Sequence, residues 1–242
     1  MNKLLGLVRR CAEDYRMIAP GDRICAGVSG GKDSLTLLVL LAKLREFYPA
    51  PFALCAVTID MGLPGMDFSP VAALCESLGV SYRCVHTEIG PIIFEHRREK
   101  NPCSMCAKMR RGALNEALLD MGCAKVALGH HHDDAVETFL MSLLYEGRIS
   151  CFQPVTYLDR TGVTQIRPML YLNEKQVEHF AEAQGLDPKA EAVAAAIQNV
   201  DYAALIAEVN KNGKPGVKPM VASYAMGGIA AKGEYDDLLE KA

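Results

Sequence analysis

The chain has 242 residues, 50% of them hydrophobic and 23% charged, with a formal net charge of −3. At roughly 150 residues per domain this allows one domain, or one domain with an appendage. The composition excludes a wholly disordered chain, and no apolar run reaches the roughly 18 residues that cross a bilayer.

The N-terminal segment predicts an amphipathic helix to about Met17, stopped by Pro20-Gly21-Asp22. A short buried strand follows from Arg23 to Val28, then a glycine turn at Ser29-Gly30-Gly31 and a long helix from Asp33 to Phe47. Phe52 to Ile59 reads as a strand, and Met61 to Pro70 as a loop bearing Gly62, Pro64 and Gly65. A helix over Val71 to Leu78 leads to a strand over Ser81 to Thr87. Asn101-Pro102 marks a break before a helix from Ser104 to Met121. Lys125 to Leu128 is a further short strand. The polar turn Gly129 to Asp134 runs into a helix ending near Glu146-Gly147.

Strands alternating with helices predict crossover units: a doubly wound parallel α/β sheet with helices on both faces. Ligands of such sheets bind beyond the carboxyl ends of the strands, where both polar glycine motifs fall. After this the pattern changes. Phe152 to Leu172 alternates around the turn Asp159-Arg160-Thr161-Gly162, a hairpin signal, and Asn173 to Gln184 is a helix. From Ala190 to Ala207, eight of 18 residues are alanine. The expected division is an α/β domain over 1–185 and a C-terminal appendage over 186–242.

Charge is unevenly placed. Residues 172–242 carry 7 basic and 11 acidic side chains, whereas Arg97, Arg98, Lys100, Lys108, Arg110 and Arg111 meet Glu99 alone. That segment is either a solvated helix face or a surface for a polyanion. Nine cysteines without a secretory signal argue against a disulfide framework and for the cytoplasm. Most stand singly in apolar company and read as small core residues.

Three groups of residues can carry chemistry. Ser29, Gly30, Gly31, Lys32, Asp33 and Ser34 join a strand to a helix amino terminus, where amides and the helix dipole attract anions. Two hydroxyls and Lys32 add donors and charge. Asp33 makes sense at a phosphate site when a cation such as magnesium bridges the phosphates; a plain capped turn would also use Asp and Ser. Gly129, His130, His131, His132, Asp133 and Asp134 end another strand. Their spacing does not suit zinc, and they read as a wall of the nucleotide site with an aspartate on magnesium. Cys103 and Cys106 form the one close cysteine pair, open to a metal or cluster, to redox or sulfur chemistry, or to a structural role.

The SGGKDS stretch resembles the signature of the PP-loop ATP pyrophosphatase superfamily. The ordered set narrows the likeness: Gly21-Asp22-Arg23-Ile24, Ser29 to Ser34, Cys103-x-x-Cys106, Arg110-Arg111-Gly112, Gly129-His130-His131 with Asp133-Asp134, and Arg167-Pro168-Met169. Together, over Leu4 to Gly185, they resemble the tRNA 2-thiocytidine synthetase family. The resemblance implies an enzyme, a tRNA sulfurtransferase. ATP would bind at Ser29 to Ser34, beside Gly129 and His130, with adenine near Val57 to Ile59, and magnesium would sit at Asp33 and Asp133 or Asp134. It would adenylate the C2 oxygen of an anticodon-loop cytidine, and sulfur would displace AMP to give 2-thiocytidine. It further implies tRNA held by Arg97, Arg98, Lys108, Arg110 and Arg111, a sulfur donor such as a cysteine desulfurase, and a homodimer. Family members hold a [4Fe–4S] cluster on the pair matched by Cys103 and Cys106 and on a third cysteine further downstream. No cysteine follows Cys151 here, so the third ligand is not found. Two other readings stay open: lysidine-synthetase-like amino transfer, and a nucleotide- or RNA-binding protein that has lost sulfur transfer.

Overall fold

The computed structural model describes residues 2–93 and 102–186, with the side chains of 102–104 left out. The expected appendage therefore falls almost wholly outside the described residues, as do Arg97, Arg98 and Lys100.

Helix α1 (Asn2–Asp14) buries Leu5, Val8, Cys11 and Ala12. Strand β1 (Arg23–Gly27) feeds α2 (Lys32–Leu44), and β2 (Ala53–Asp60) feeds α3 (Ser69–Ser77) and β3 (Ser81–His86). One helical turn, α4 (Ile89–Pro91), precedes α5 (Pro102–Asp120), β4 (Lys125–Ala127) and α6 (His132–Glu146). The hairpin signal becomes β5 (Val155–Leu158) and β6 (Val163–Ile166), and α7 (Glu174–Gln184) closes the described chain.

The six strands lie in the order β3-β2-β1-β4-β6-β5. All neighbours are parallel except β5 and β6, so the sheet has an antiparallel edge that strand–helix alternation alone did not predict. The reason is the tight turn at 159–162, which can return the chain only antiparallel. The order reverses between β1 and β4, the switch point at which ligand crevices form in open sheets.

Alternation along each strand sorts residues between two layers. Ile24, Ala26, Leu54 and Ala56 pack with α1, α2, α3 and α7 in the larger core. Cys25, Cys55, Val57 and Val126 pack with Ala117 and Leu118 of α5 on the other face. Helix α2 is buried almost all round because it lies under the sheet and against α1 and α7. That explains its apolar text, Leu35 to Leu44, interrupted only by Thr36 and Lys43. Cys11, Cys25, Cys55, Cys75 and Cys123 are buried as expected of small core residues, while Cys84 and Cys151 are half-buried.

At the amino edge of the sheet Asp22 pairs with Lys125 Nζ, which also donates to the Met17 carbonyl at 2.9 Å. The Gly21-Asp22-Arg23 motif thus ties β1 to β4 far from their carboxyl ends. Helix α6 differs from the rest. It buries only Ser142, while Val136, Phe139, Leu140, Leu143 and Leu144 are exposed, Leu144 at 75%.

Candidate functional site

Beyond β1 the chain turns on Gly30, whose φ of +89° is a conformation glycine adopts without strain. The turn is held by its serines. Ser34 Oγ accepts the Ser29 amide at 3.1 Å, lies 3.2 Å from Ser29 Oγ, and donates to the Gly31 carbonyl at 2.9 Å. Gly31 is the residue before α2, and no side chain caps it. The first-turn amides of α2 therefore face the loop with the helix dipole behind them, an arrangement whose electrostatics favour anions.

Lys32 does not extend into solvent. Its Nζ donates to Asp33 Oδ1 at 2.9 Å and to Glu174 Oε1 at 3.3 Å. Burial works against its charge, yet the Asp33 and Glu174 carboxylates outweigh it and hold the ammonium above its ordinary value. Glu174 opens α7, and its amide donates to Asp133 Oδ2 at 2.7 Å. The start of α7 thus links Lys32 to Asp133. Sequence reading missed Glu174; the one local signal was the capping box Asn173-x-x-Gln176, which fixes where α7 begins.

The second glycine motif lies against the first. A Cβ on Gly129 would sit 3.1 Å from the carbonyl carbon and oxygen of Asp33 and from the Ser34 amide nitrogen. Only a glycine lets the end of β4 approach the start of α2 this closely. Asp134 Oδ2 accepts the His131 amide at 2.7 Å, so this carboxylate caps α6. His131 is buried and His132 exposed. The pKa of His130 is lowered, first by burial and then by the Arg167 charge. Its Nδ1 is buried with no hydrogen-bond partner among the described residues. The ring stacks 5.0 Å from Phe152, and the Arg167 guanidinium lies 4.9 Å from the same phenyl ring. Arg167 is anchored by the Gln153 carbonyl at 2.6 Å and Thr156 Oγ1 at 3.1 Å. The Arg167-Pro168 motif therefore props the wall that carries His130, a role the sequence did not show.

Of the residues assigned to adenine, Val57 is buried in the smaller core and Ile59 is half-buried at its edge. Cys106 lies on the first turns of α5, its Sγ 3.8 Å from Met61 Sδ, just past the end of β2. The Cys103 side chain lies outside the described residues. Lys108, Arg110 and Arg111 are exposed further along α5. Cys151 is half-buried and donates to the Ala135 carbonyl at 3.3 Å. It lines an open groove of about 480 Å³ with Ser142, Tyr145 and Phe152.

The PP-loop domain family matches residues 6–192. A tRNA-cytidine(32) 2-sulfurtransferase of Anaeromyxobacter dehalogenans (strain 2CP-C) is 43% identical over 182 residues, 75% of this chain and 63% of that protein. One of Syntrophotalea carbinolica is 41% identical over 185 residues, 76% of this chain and 71% of that one. Against the first of these the chain spans under two thirds of the relative's length. Among solved structures, the U34-tRNA thiolase NcsA from Methanococcus maripaludis, with its [4Fe-4S] cluster, shares the fold at a TM-score of 0.60 and 22% identity, over 99% of this chain and 80% of that one. The serine-braced loop, its close contact with Gly129 and these matches agree: the chain belongs to the PP-loop family and, within it, to the family of tRNA-cytidine(32) 2-sulfurtransferases.

Proposed function

We propose that the protein is an ATP-dependent tRNA sulfurtransferase that converts an anticodon-loop cytidine to 2-thiocytidine. The observation that carries this reading is the seating of Gly129 on Asp33, which brings two polar motifs from separate strands to one sheet edge. The names of the relatives supply the substrate.

ATP phosphates would lie on the uncapped amides of α2, with Lys32 turning from its carboxylates to the phosphates. The adenine would rest against Ile59. The cytidine O2 would attack the α-phosphorus, and pyrophosphate would leave. A pyrimidine oxygen is a poor leaving group; adenylation makes it a good one. Sulfur would then add at C2, and the C2–O bond would break as AMP departs. His130 Nδ1, buried and without a partner among the described residues, would accept or donate one hydrogen bond to the bound nucleotide.

Asp33 fits a magnesium site, since its carboxylate is partly exposed beside the loop. Asp133 and Asp134 are the other candidates, each with one carboxylate oxygen already engaged, Asp133 by the Glu174 amide and Asp134 by the His131 amide. Magnesium, when bound, would offset charge on the phosphates. Cys103 and Cys106 lie three residues apart on α5, so their positions share a helix face. They would hold two irons of a [4Fe–4S] cluster, which when bound supplies an open iron for sulfur. Cys106 lies past the end of β2, at the carboxyl edge where the nucleotide loop also sits.

Exposed Lys108, Arg110 and Arg111, with Arg97 and Arg98, would meet the tRNA backbone. A cysteine desulfurase would supply sulfur. The apolar face of α6, with Glu137 as the one charged side chain between Val136 and Tyr145, suits a two-fold homodimer contact. The proposed domain division remains 1–185 and 186–242, with the enzyme acting in the cytoplasm. No described helix is long and apolar enough to cross a membrane.

Mass spectrometry of tRNA nucleosides tests the reading. Cells lacking the protein should lose 2-thiocytidine, and the chain should restore it. Unchanged 2-thiocytidine in those cells would overturn the proposal.

A further inference from the structure

At the carboxyl end of β2 and β3, three metal-ligating groups of different chemistry meet. The parallel register sets Asp60 opposite His86, and Cys84 lies two residues earlier on β3, on the same face. Asp60 Oδ2 is 2.8 Å from His86 Nδ1. One carboxylate oxygen, one ring nitrogen and the Cys84 sulfur all lie within 4.8 Å of one another. No other group of three such side chains meets this closely among the described residues.

The surroundings are graded from fixed to free. Asp60 is 14% exposed, and its Oδ1 accepts the Gly62 amide at 2.9 Å, so its carboxylate is held from behind. Cys84 is half-buried. His86 is 79% exposed and can turn at little cost. None of the three takes part in the nucleotide loop, the Gly129 wall or the Cys103/Cys106 pair.

We propose that Asp60, Cys84 and His86 bind one Zn2+, leaving a fourth coordination position open. Tetrahedral zinc bonds of about 2.0 Å to nitrogen and oxygen and about 2.3 Å to sulfur set the ligand atoms roughly 3.5 Å apart. The observed spread, at most 4.8 Å, closes to that by small side-chain rotations, with the exposed His86 the freest of the three to move. A mixed sulfur, nitrogen and oxygen set favours zinc over magnesium or calcium, which take oxygen ligands. Binding replaces the Cys84 S–H bond with a Zn–S bond and releases that proton to solvent. The ion offsets the repulsion between a Cys84 thiolate and the Asp60 carboxylate. It also clamps the edge strand β3 to β2 where the loop after Asp60 begins.

Cobalt(II) reports this site without any assay of activity, because a cobalt thiolate gives a charge-transfer band that nitrogen and oxygen ligands do not. The reduced, nucleotide-free full chain should take up one Co2+ with such a band, and Zn2+ should displace it. Cys84→Ser should abolish the band. His86→Ala, at an exposed side chain that does not threaten folding, should weaken cobalt binding at least about tenfold. A Cys103→Ser/Cys106→Ser double variant should keep the band. The proposal is overturned by a parent protein without the band, by a band that survives Cys84→Ser or vanishes with the Cys103/Cys106 pair, or by unchanged affinity in His86→Ala.

Discussion

Gly129 lies so close to Asp33 that a methyl group on it would sit 3.1 Å from the Asp33 carbonyl. The contact joins the end of β4 to the first turn of α2, so the two halves of the site are positioned by backbone rather than by side chains. Gly129→Ala should force α2 and β4 apart, with an overpacking cost of about 1–3 kcal/mol. Thermal unfolding should show the lower stability. Pyrophosphate release should fall more than tenfold. Wild-type turnover in this variant would show that the close approach is incidental.

Asp33→Ala should abolish pyrophosphate release, a loss of at least about a hundredfold, because the cation-bridged phosphates lose an anchor. The loop itself should persist, since its bracing bonds run between Ser29, Gly31 and Ser34. Pyrophosphate assays with saturating ATP and tRNA decide the point; full activity would exclude the phosphate-site reading.

In the proposed reading Glu174, 3.3 Å from Lys32 Nζ, would compete with the ATP phosphates for it. Glu174→Gln should leave kcat nearly unchanged and lower the KM for ATP by up to about fivefold, the range expected for loss of a partly exposed ion pair. A raised KM would instead show that Glu174 orients Lys32 for the nucleotide.

Reversing Arg110 and Arg111 to Glu should weaken tRNA binding and flatten its salt dependence, the slope falling by about one for each phosphate no longer neutralised. ATP affinity should hold. Filter binding across a salt series measures both. Indifference to the changes would make this face of α5 merely solvated.

His130 carries a pH consequence. Burial lowers its pKa in the folded state, so the unfolded chain binds the proton more readily. Stability is therefore full above about pH 6.5 and is lost as pH falls through the unfolded value, levelling off below the folded one. His130→Gln should show a shallower decline in Tm between about pH 7 and pH 5 than the parent. Parallel curves would assign the acid limb to other groups.

The sequence by itself determined the parts governed by local chemistry. Alternating strands and helices up to Glu146 specified the doubly wound sheet, and glycines after β1 and β4 marked the edge where the two polar motifs meet, because turn conformation and helix-terminus dipoles are set by neighbouring residues. Asp133 and Asp134 show the limit. Their number and place were legible, but their hydrogen bonds to Glu174 and His131 divide them into a brace for α7 and a cap for α6. Lys32 meets Glu174 across 142 positions, and Arg167 props His130 through Phe152. Asp60, Cys84 and His86 come together only through the register of β2 on β3. No periodicity encodes such pairings. They are decided when the sheet order and the packing of α7 on α2 bring distant segments together, and burial then sets which side chains keep their charge.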